Sequence, residues 1–583
     1  MKTRIPLRPV HGKVVAVATV ALLVSGAPLT AQAASYPSDT DTPDLVSLLT
    51  GFDDYWASDG NSDLHGTVLD VDTLSFNDEL TVWINNNATA QQQFRALQDS
   101  SYNNSDGTAY DQSFTVSEGL GDVLSAIYVQ GLEDGSLPLT QALINSSDGT
   151  SGAYVSTSTA KATFSYPRPF LSVDPDAAAV DGDDEACDPS NVNGSSLASI
   201  RAGQDYADAD GNLNIVRVAA TTDTTHQFSD EDVALDASYG TSGLCTGGSY
   251  PSGHTTTAYE AGITLATLVP ELGTEVLARA SENGNNRIVL GVHYPLDIMG
   301  GRIDGEAALA ARWSDEEYRT DVLEPARAEL IAYLEAQCGA TVTECAASGA
   351  AYTDDPYGGE AIPGGTSQIV TDRASALAVY TERLTYGFDQ TGTAGLAASV
   401  PDGAENLLLT AFPTLTDDQR TSVLAQTEID SGYPLDLTSD GDGSWERLNL
   451  AAAMSATVQL NNDGTVTVLS VGGAAEVVAP QGTLTAPEGG SVAAGGTIQI
   501  AGSGFAADAT LSLVLHSDPV TVSTVTTDAN GDFATTVTIP SGTASGAHTL
   551  EALYSDGTTA SAAALALTVT AASSTTHLPV VSG

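Results

Sequence analysis

Lysine is almost missing from this chain. Three occur in 583 residues, and two of them, Lys2 and Lys13, stand at the extreme N-terminus. Lysine and arginine together number 19 against 74 aspartates and glutamates, a formal net charge of −55. Such a chain has no basic footprint with which to displace counterions from a nucleic acid, and nucleic acid is excluded as a partner. The same field repels anionic small molecules at long range, so an anion site must be a local cationic pocket in a negative surface. Cysteine is scarce too: Cys187, Cys245, Cys338 and Cys345 are the full set. Their spacing lacks a CxxC pair, which argues against a metal site. In an exported chain they read as two disulfides, Cys187–Cys245 and Cys338–Cys345. Past the N-terminal segment no apolar run approaches the roughly 20 residues of a helical span.

The opening residues have a defined layout. "MKTRIPLRPVHGK" is positively charged, "VVAVATVALLVSG" is short and apolar, and "AQA" at 31–33 offers small residues for cleavage. This is the pattern of a secretory signal peptide over residues 1–33. The expected product begins near Ala34, is secreted or extracellular, and retains Lys161 as its single lysine.

Length alone suggests at least two domains. The first is expected over residues 34–480 and is mainly α. "GLGDVLSAIYVQGL", "HTTTAYEAGITLATLVPEL" and "SDEEYRTDVLEPARAELIAYLEAQ" carry apolar residues at three- and four-residue steps. The third opens on Ser314, read as an N-cap with Glu317 three residues on. The segment 174–250 is polar and Asp-rich and reads as a long surface excursion stapled to the core by Cys187 and Cys245. Helical spacing returns after "TDDPYGGEAIPGG" and extends to about residue 456, with "DGSWERLNLAAAMSA" as the last helix before a β-like "GTVTVLSV". Residues 481–571 contain no lysine or arginine, and short alternating runs are separated by Gly, Asp and Ser turns. They read as an all-β, Ig-like sandwich, followed by a disordered tail at 572–583.

Three stretches concentrate chemistry. "KATFSYPRP" holds Lys161 and Arg168. "PSGH" holds Ser252, Gly253 and His254 immediately before a helical run. "NNRIVLGVHYPLD" holds Arg287, His293 and Asp297. Arginine brings a planar fork matched to phosphate oxygens. A helix start with a glycine offers backbone N–H groups to an anion. Pro295 suggests a helix beginning there, which leaves His293 on the entering turn within reach of Asp297. His65, His226, His516, His548 and His577 have no such company and read as structural or solvent-facing.

The three blocks together resemble the signature of the acid phosphatase and vanadium haloperoxidase superfamily, which includes the type 2 phosphatidic acid phosphatases. That signature is Lys, six residues, Arg-Pro; then Pro-Ser-Gly-His; then Ser-Arg, five residues, His, three residues, Asp. The match spans Lys161 to Asp297. The resemblance implies a helical-bundle catalytic domain and hydrolysis of phosphate monoesters through a phosphohistidine, without metal or other cofactor. By position His293 is the nucleophile, Asp297 its orienting partner, and His254 the acid that protonates the leaving oxygen. Lys161, Arg168, Ser252, Gly253 and Arg287 bind the phosphoryl group. The expected partner is a small phosphomonoester, with cell-envelope contact through the Ig-like domain. Two features depart from the family: Asn286 stands where serine precedes the arginine, and the first two blocks are farther apart than usual. Two alternatives stand beside this reading. One is a haloperoxidase using vanadate in the same pocket. The other is a cell-surface binding protein with an inactive catalytic domain.

Overall fold

The computed structural model describes residues 35–100, 111–192, 194–348, 358–441, 443–516, 519–554 and 561–571. The expected signal peptide and C-terminal tail lie outside the described residues. The described chain is helical in its first three-quarters and ends in many strands arranged in sheets, as expected.

Three long helices form the centre: Gly253–Leu268, Gly273–Val289 and Pro295–Ser314. They are preceded by Val71–Asn87, Ala90–Ser100, Gln112–Val116, Gly121–Glu133 and Ser158–Phe164. In chain order we label these α1 (71–87), α2 (90–100), α3 (112–116), α4 (121–133), α5 (158–164), α6 (253–268), α7 (273–289) and α8 (295–314). Almost every residue of α6, α7 and α8 is buried, so these helices are the core rather than amphipathic surface elements. Glycines let them approach: a Cβ on Gly262 would lie 2.5 Å from that of Ala280, and one on Gly305 would lie 2.7 Å from that of Tyr259.

Four readings of local structure change. The helix expected through Leu272 stops at Leu268, because Pro270 has no amide hydrogen to donate and disfavours helix in the residue before it. Ser314 is the last residue of α8, not an N-cap. Asp315 caps the next turn, its Oδ1 accepting from Tyr318 N at 3.1 Å. The segment after Arg447 forms only a four-residue helix, Leu450–Ala453, with Asn449 as its cap. A strand at Thr457–Leu460 follows at once and pairs with Val466–Ser470 and Glu476–Val478.

The excursion 174–250 is also more than a surface loop. It contributes Leu197, Val218, Phe228, Val233, Leu235 and Tyr239 to the main hydrophobic core. Buried Arg201 makes two 2.7 Å bonds to buried Asp78 of α1 and one of 3.2 Å to Tyr294 Oη. The disulfides pair as expected, Cys187–Cys245 and Cys338–Cys345, with Cα separations of 4.9 and 6.3 Å.

The C-terminal region has a core of its own. A three-stranded sheet (533–538, 497–503 and 483–485 in spatial order) faces a five-stranded one (520–526, 510–516, 546–554, 561–570 and 491–493). Leu484, Ile498, Ile500 and Val537 of the first meet Leu511, Leu513, Leu550 and Leu567 of the second. Buried and exposed residues alternate along 497–503 and 546–554, so a sequence without a single lysine or arginine still buries one face.

Candidate active site

The eight motif residues expected to act on phosphate come from α5, the turn after it, and the N-termini of α6 and α8 with the end of α7. Local sequence explains each placement. Ser165, at φ 49°, ends α5 one turn beyond Lys161. Arg168 then stands between Pro167 and Pro169, which hold the backbone extended and aim the side chain back toward the helix ends. Ser252 is the N-cap of α6, its Oγ accepting from Thr255 N at 3.3 Å. Gly291, at φ 68°, turns the chain out of α7 just after Arg287, and Pro295 opens α8. Asp297 sits at the third position of α8 and accepts from Tyr294 N at 2.9 Å.

Aromatic rings lock the three blocks together. Tyr166, Tyr250 and Tyr294 each lie within two residues of a site residue. Phe52 stacks on Tyr250 with centroids 3.9 Å apart and meets Tyr166 edge-on at 5.3 Å. Tyr166 in turn meets Tyr294 at 5.1 Å and Trp56 at 5.0 Å. Offset and edge contacts of this kind add to the burial they accompany.

His293 Nδ1 lies 2.9 Å from Asp297 Oδ2, and its Nε2 lies 2.9 Å from Arg168 Nη1. A guanidinium only donates, so Nε2 must be the acceptor and Nδ1 carries the hydrogen that Asp297 receives. The ring is therefore held with its free lone pair on Nε2, facing the cations. Burial first, and then Arg168, Lys161, Arg287 and His254, hold the imidazole pKa well below the usual histidine value. Burial lifts the Asp297 carboxyl to about 7, against the opposing pull of Tyr294 N–H, Lys161, Arg168 and Ser249.

Lys161 Nζ donates to the carbonyls of Gly248, Ser249 and Pro251 at 2.9, 3.1 and 2.6 Å. Arg168 donates to the carbonyls of Gly247 and Val292 at 3.2 and 3.0 Å. Burial, followed by Arg287, brings the Arg168 guanidinium down to about 9. Burial and the neighbouring Arg168 also push the Lys161 ammonium downward. Arg287 is buried and donates to Ser100 Oγ at 2.8 Å. A Cβ on Gly253 would come within 2.9 Å of Thr157 Oγ1 and 3.7 Å of Lys161 Cε, so glycine is what lets α5 and α6 close on each other. His254, half-buried in the first turn of α6, is held below the normal histidine range by burial and then by Arg287, Arg168 and Lys161.

Some supporting groups carry no signal in the sequence. Gln112 Nε2 donates to the His254 carbonyl at 2.9 Å and to Asn283 Oδ1 at 2.7 Å, fixing the start of α6. Ser100 and Gln112 belong to helices outside all three motif blocks. Asn286 turns away from the site and donates to Asp99 Oδ2 at 2.7 Å. Among the described residues, no group of three or more His, Cys, Asp or Glu could hold a metal ion, and no single helix is long and apolar enough to cross a membrane.

A family model described as the PAP2 superfamily matches residues 149–321, the stretch that contributes all eight of these residues. Residues 149–321 are a PAP2 superfamily domain. This domain is similar to an acid phosphatase of Zymomonas mobilis, 38% identical over 103 residues, or 18% of this chain and 39% of that protein. It is also similar to a non-specific acid phosphatase of Providencia stuartii, 34% identical over 76 residues, or 13% of this chain and 31% of that protein. The chain thus spans well under half the length of either relative.

Proposed function

We propose that this protein is an exported acid phosphatase that hydrolyses phosphate monoesters through a phosphohistidine. The observation that carries this reading is the orientation of His293, with Nδ1–H on Asp297 and the Nε2 lone pair turned toward Arg168. A phosphoryl group entering beside Lys161, Arg168 and Arg287 takes over the guanidinium that now faces Nε2. Nε2 then attacks phosphorus, the P–O ester bond breaks, and the leaving oxygen takes the proton of His254. Asp297 balances the positive charge of the phosphorylated imidazole. In the second half, His254 takes a proton from water as the water oxygen attacks phosphorus and the P–N bond breaks. Inorganic phosphate and free His293 result. The fixed cations meet the charge on the phosphoryl oxygens throughout, so the scheme calls for no metal.

Export is proposed from the leader pattern and is consistent with two disulfides. The sandwich is proposed as the part that contacts the cell envelope.

The test is phosphate release from an aryl phosphate in EDTA, across about pH 4 to 8, beside His293→Ala. Turnover that survives EDTA and disappears in the variant is the expected result. Wild-type inactivity would overturn the reading. Peroxide-dependent bromide oxidation after vanadate addition would then identify the haloperoxidase alternative.

A further inference from the structure

The carbonyls that hold Lys161 and Arg168 lie mostly in one turn, residues 247–251, and that turn starts beside a disulfide. Gly247 O accepts from Arg168 Nε at 3.2 Å. Gly248 O accepts from Arg168 Nη2 at 3.4 Å and from Lys161 Nζ at 2.9 Å. The far half of the turn has anchors of its own. Ser249 N donates to Tyr166 O at 2.7 Å, Ser252 N donates to Asp297 O at 3.0 Å, and Tyr250 stacks on Phe52. The near half is two glycines, the residues with the most backbone freedom. Just upstream stands Cys245, the last residue of the short helix Ser242–Cys245, joined to Cys187.

Both cysteines are buried. With Leu64, Leu171 and Val192 they form a small apolar cluster of their own, against which Phe170 packs. Phe170 and Leu171 directly follow Arg168 and Pro169 in the chain. The disulfide thus meets the Arg168 segment twice, by packing on residues 170–171 and through the two glycine carbonyls that follow Cys245. The turn is close-fitting. A Cβ on Gly247 would lie 2.5 Å from Gly243 O and 3.9 Å from Arg168 Nη2, and one on Gly248 would lie 2.5 Å from Lys161 O. A contact this tight passes a shift of Cys245 on to the carbonyls. Hydrogen bonds from Asp184 N to Gly240 O and from Ser242 N to Asp184 Oδ2, both 2.9 Å, hold the start of the short helix, and the disulfide holds its end. Cys338–Cys345 offers a contrast: with a sequence separation of 7, it closes a local turn between two helices.

We propose that the Cys187–Cys245 disulfide is a positioning element of the phosphate cradle, holding the Gly247 and Gly248 carbonyls where they aim Arg168 at the phosphoryl group. This rests on the phosphate-binding role of Arg168 proposed above. The disulfide touches no reacting atom and acts through the guanidinium. Without it the glycine turn samples other conformations, and Arg168 loses two of its three carbonyl acceptors, keeping that of Val292. The planar fork is then no longer held in one geometry beside His293 Nε2.

The experiment is steady-state hydrolysis of an aryl phosphate by the full chain, with inorganic phosphate as inhibitor, comparing the wild type with Cys187→Ala/Cys245→Ala well below the Tm of the variant. kcat/KM is expected to fall about 10- to 100-fold, and phosphate to inhibit more weakly. Lost stability accompanies a purely structural disulfide as well, so the deciding measurement repeats the double substitution in Arg168→Ala. There it is expected to change kcat/KM by less than about threefold, since groups acting through one another do not add. Equal losses in the two backgrounds overturn the proposal, and so does a kcat/KM that stays at the wild-type value. Cys338→Ala/Cys345→Ala is expected to leave both kcat/KM and phosphate inhibition as they are, and a matching loss there also overturns it. Should the Cys187 and Cys245 variant not fold, Gly247→Ala decides, because its Cβ crowds Gly243 O and displaces the carbonyl while the disulfide stays. A loss of kcat/KM that disappears in Arg168→Ala is expected, and no loss overturns the proposal. A wild type that neither turns over nor is inhibited by phosphate overturns the phosphatase reading and this inference together.

Discussion

Two clusters of buried positive charge sit around α7, and they are built in opposite ways. In one, Arg95 and Arg279 are clamped by Glu118, Glu282 and Asp99 at distances of 2.5 to 3.4 Å. The carboxylates lift both guanidinium pKa values above the ordinary arginine range, and Arg95 and Arg279 in turn hold Glu118 down at about 2. In the other, Lys161 and Arg168 donate to backbone carbonyls and to His293, and burial lowers both. Carbonyl dipoles orient a cation without cancelling its charge. The first cluster is neutralised by the fold; the second remains short of negative charge. That shortage is what an entering phosphoryl group can satisfy, and it persists in a protein whose overall field is strongly negative.

The largest effect expected is on chemistry. His293→Ala should lower kcat by on the order of 10⁴-fold or more, because no other group supplies the attacking nitrogen. Single-turnover phosphate release measures it, and a variant within tenfold of the wild type would falsify the nucleophile assignment.

The sharpest test of the contrast exchanges the two clusters. Arg168→Ala is expected to cut kcat/KM by about 10² to 10³-fold while leaving Tm unchanged or higher, since an undercompensated buried charge is removed. Arg279→Ala should instead cost about 3–5 kcal/mol of stability by stranding Asp99 and Glu118. Thermal and urea unfolding beside kinetics separate the two. If both variants lose mainly stability, the distinction between a binding cluster and a folding cluster is wrong.

Phe52→Ala tests the aromatic lock. Loss of the ring that touches Tyr166 and Tyr250 should cost about 3–5 kcal/mol and lower kcat, although Phe52 touches no reacting atom. Full activity at low temperature with reduced Tm would show that the lock serves folding alone.

The smallest effect concerns pH. His254 must be protonated to act as an acid, so kcat/KM falls as pH rises through its pKa. Burial and the three cations depress that pKa, placing the falling limb on the acid side of the ordinary histidine range. Arg287→Gln removes one of those charges, and the limb should move to higher pH even as kcat/KM drops. A pH–rate profile whose limb stays put or moves lower would show that Arg287 does not set the charge at His254.

The strand-rich C-terminal region was legible because alternation and turn residues report a half-buried strand directly. The break at Pro270 and the cap at Asp315 were harder. Both depend on which of two neighbouring local preferences prevails, and packing of α6 and α8 decides that. The pairing of 457–460 with 466–470 and 476–478 was half-read, since the first strand follows an alanine-rich helix without a boundary signal.

The sequence by itself determined which residue types meet: one lysine, two arginines, two histidines and an aspartate at spacings that place each at a helix end or turn. Spacing acts locally, through prolines, glycines and caps, and so survives in one dimension. Tertiary structure alone decided what each of these charges faces. Lys161 faces carbonyls, Arg279 faces carboxylates, Asn286 turns to Asp99, and Asp304 of α8 lies buried without a hydrogen bond to either carboxyl oxygen. Compensation of a buried charge depends on groups brought together across the core, and no local pattern in the chain records it.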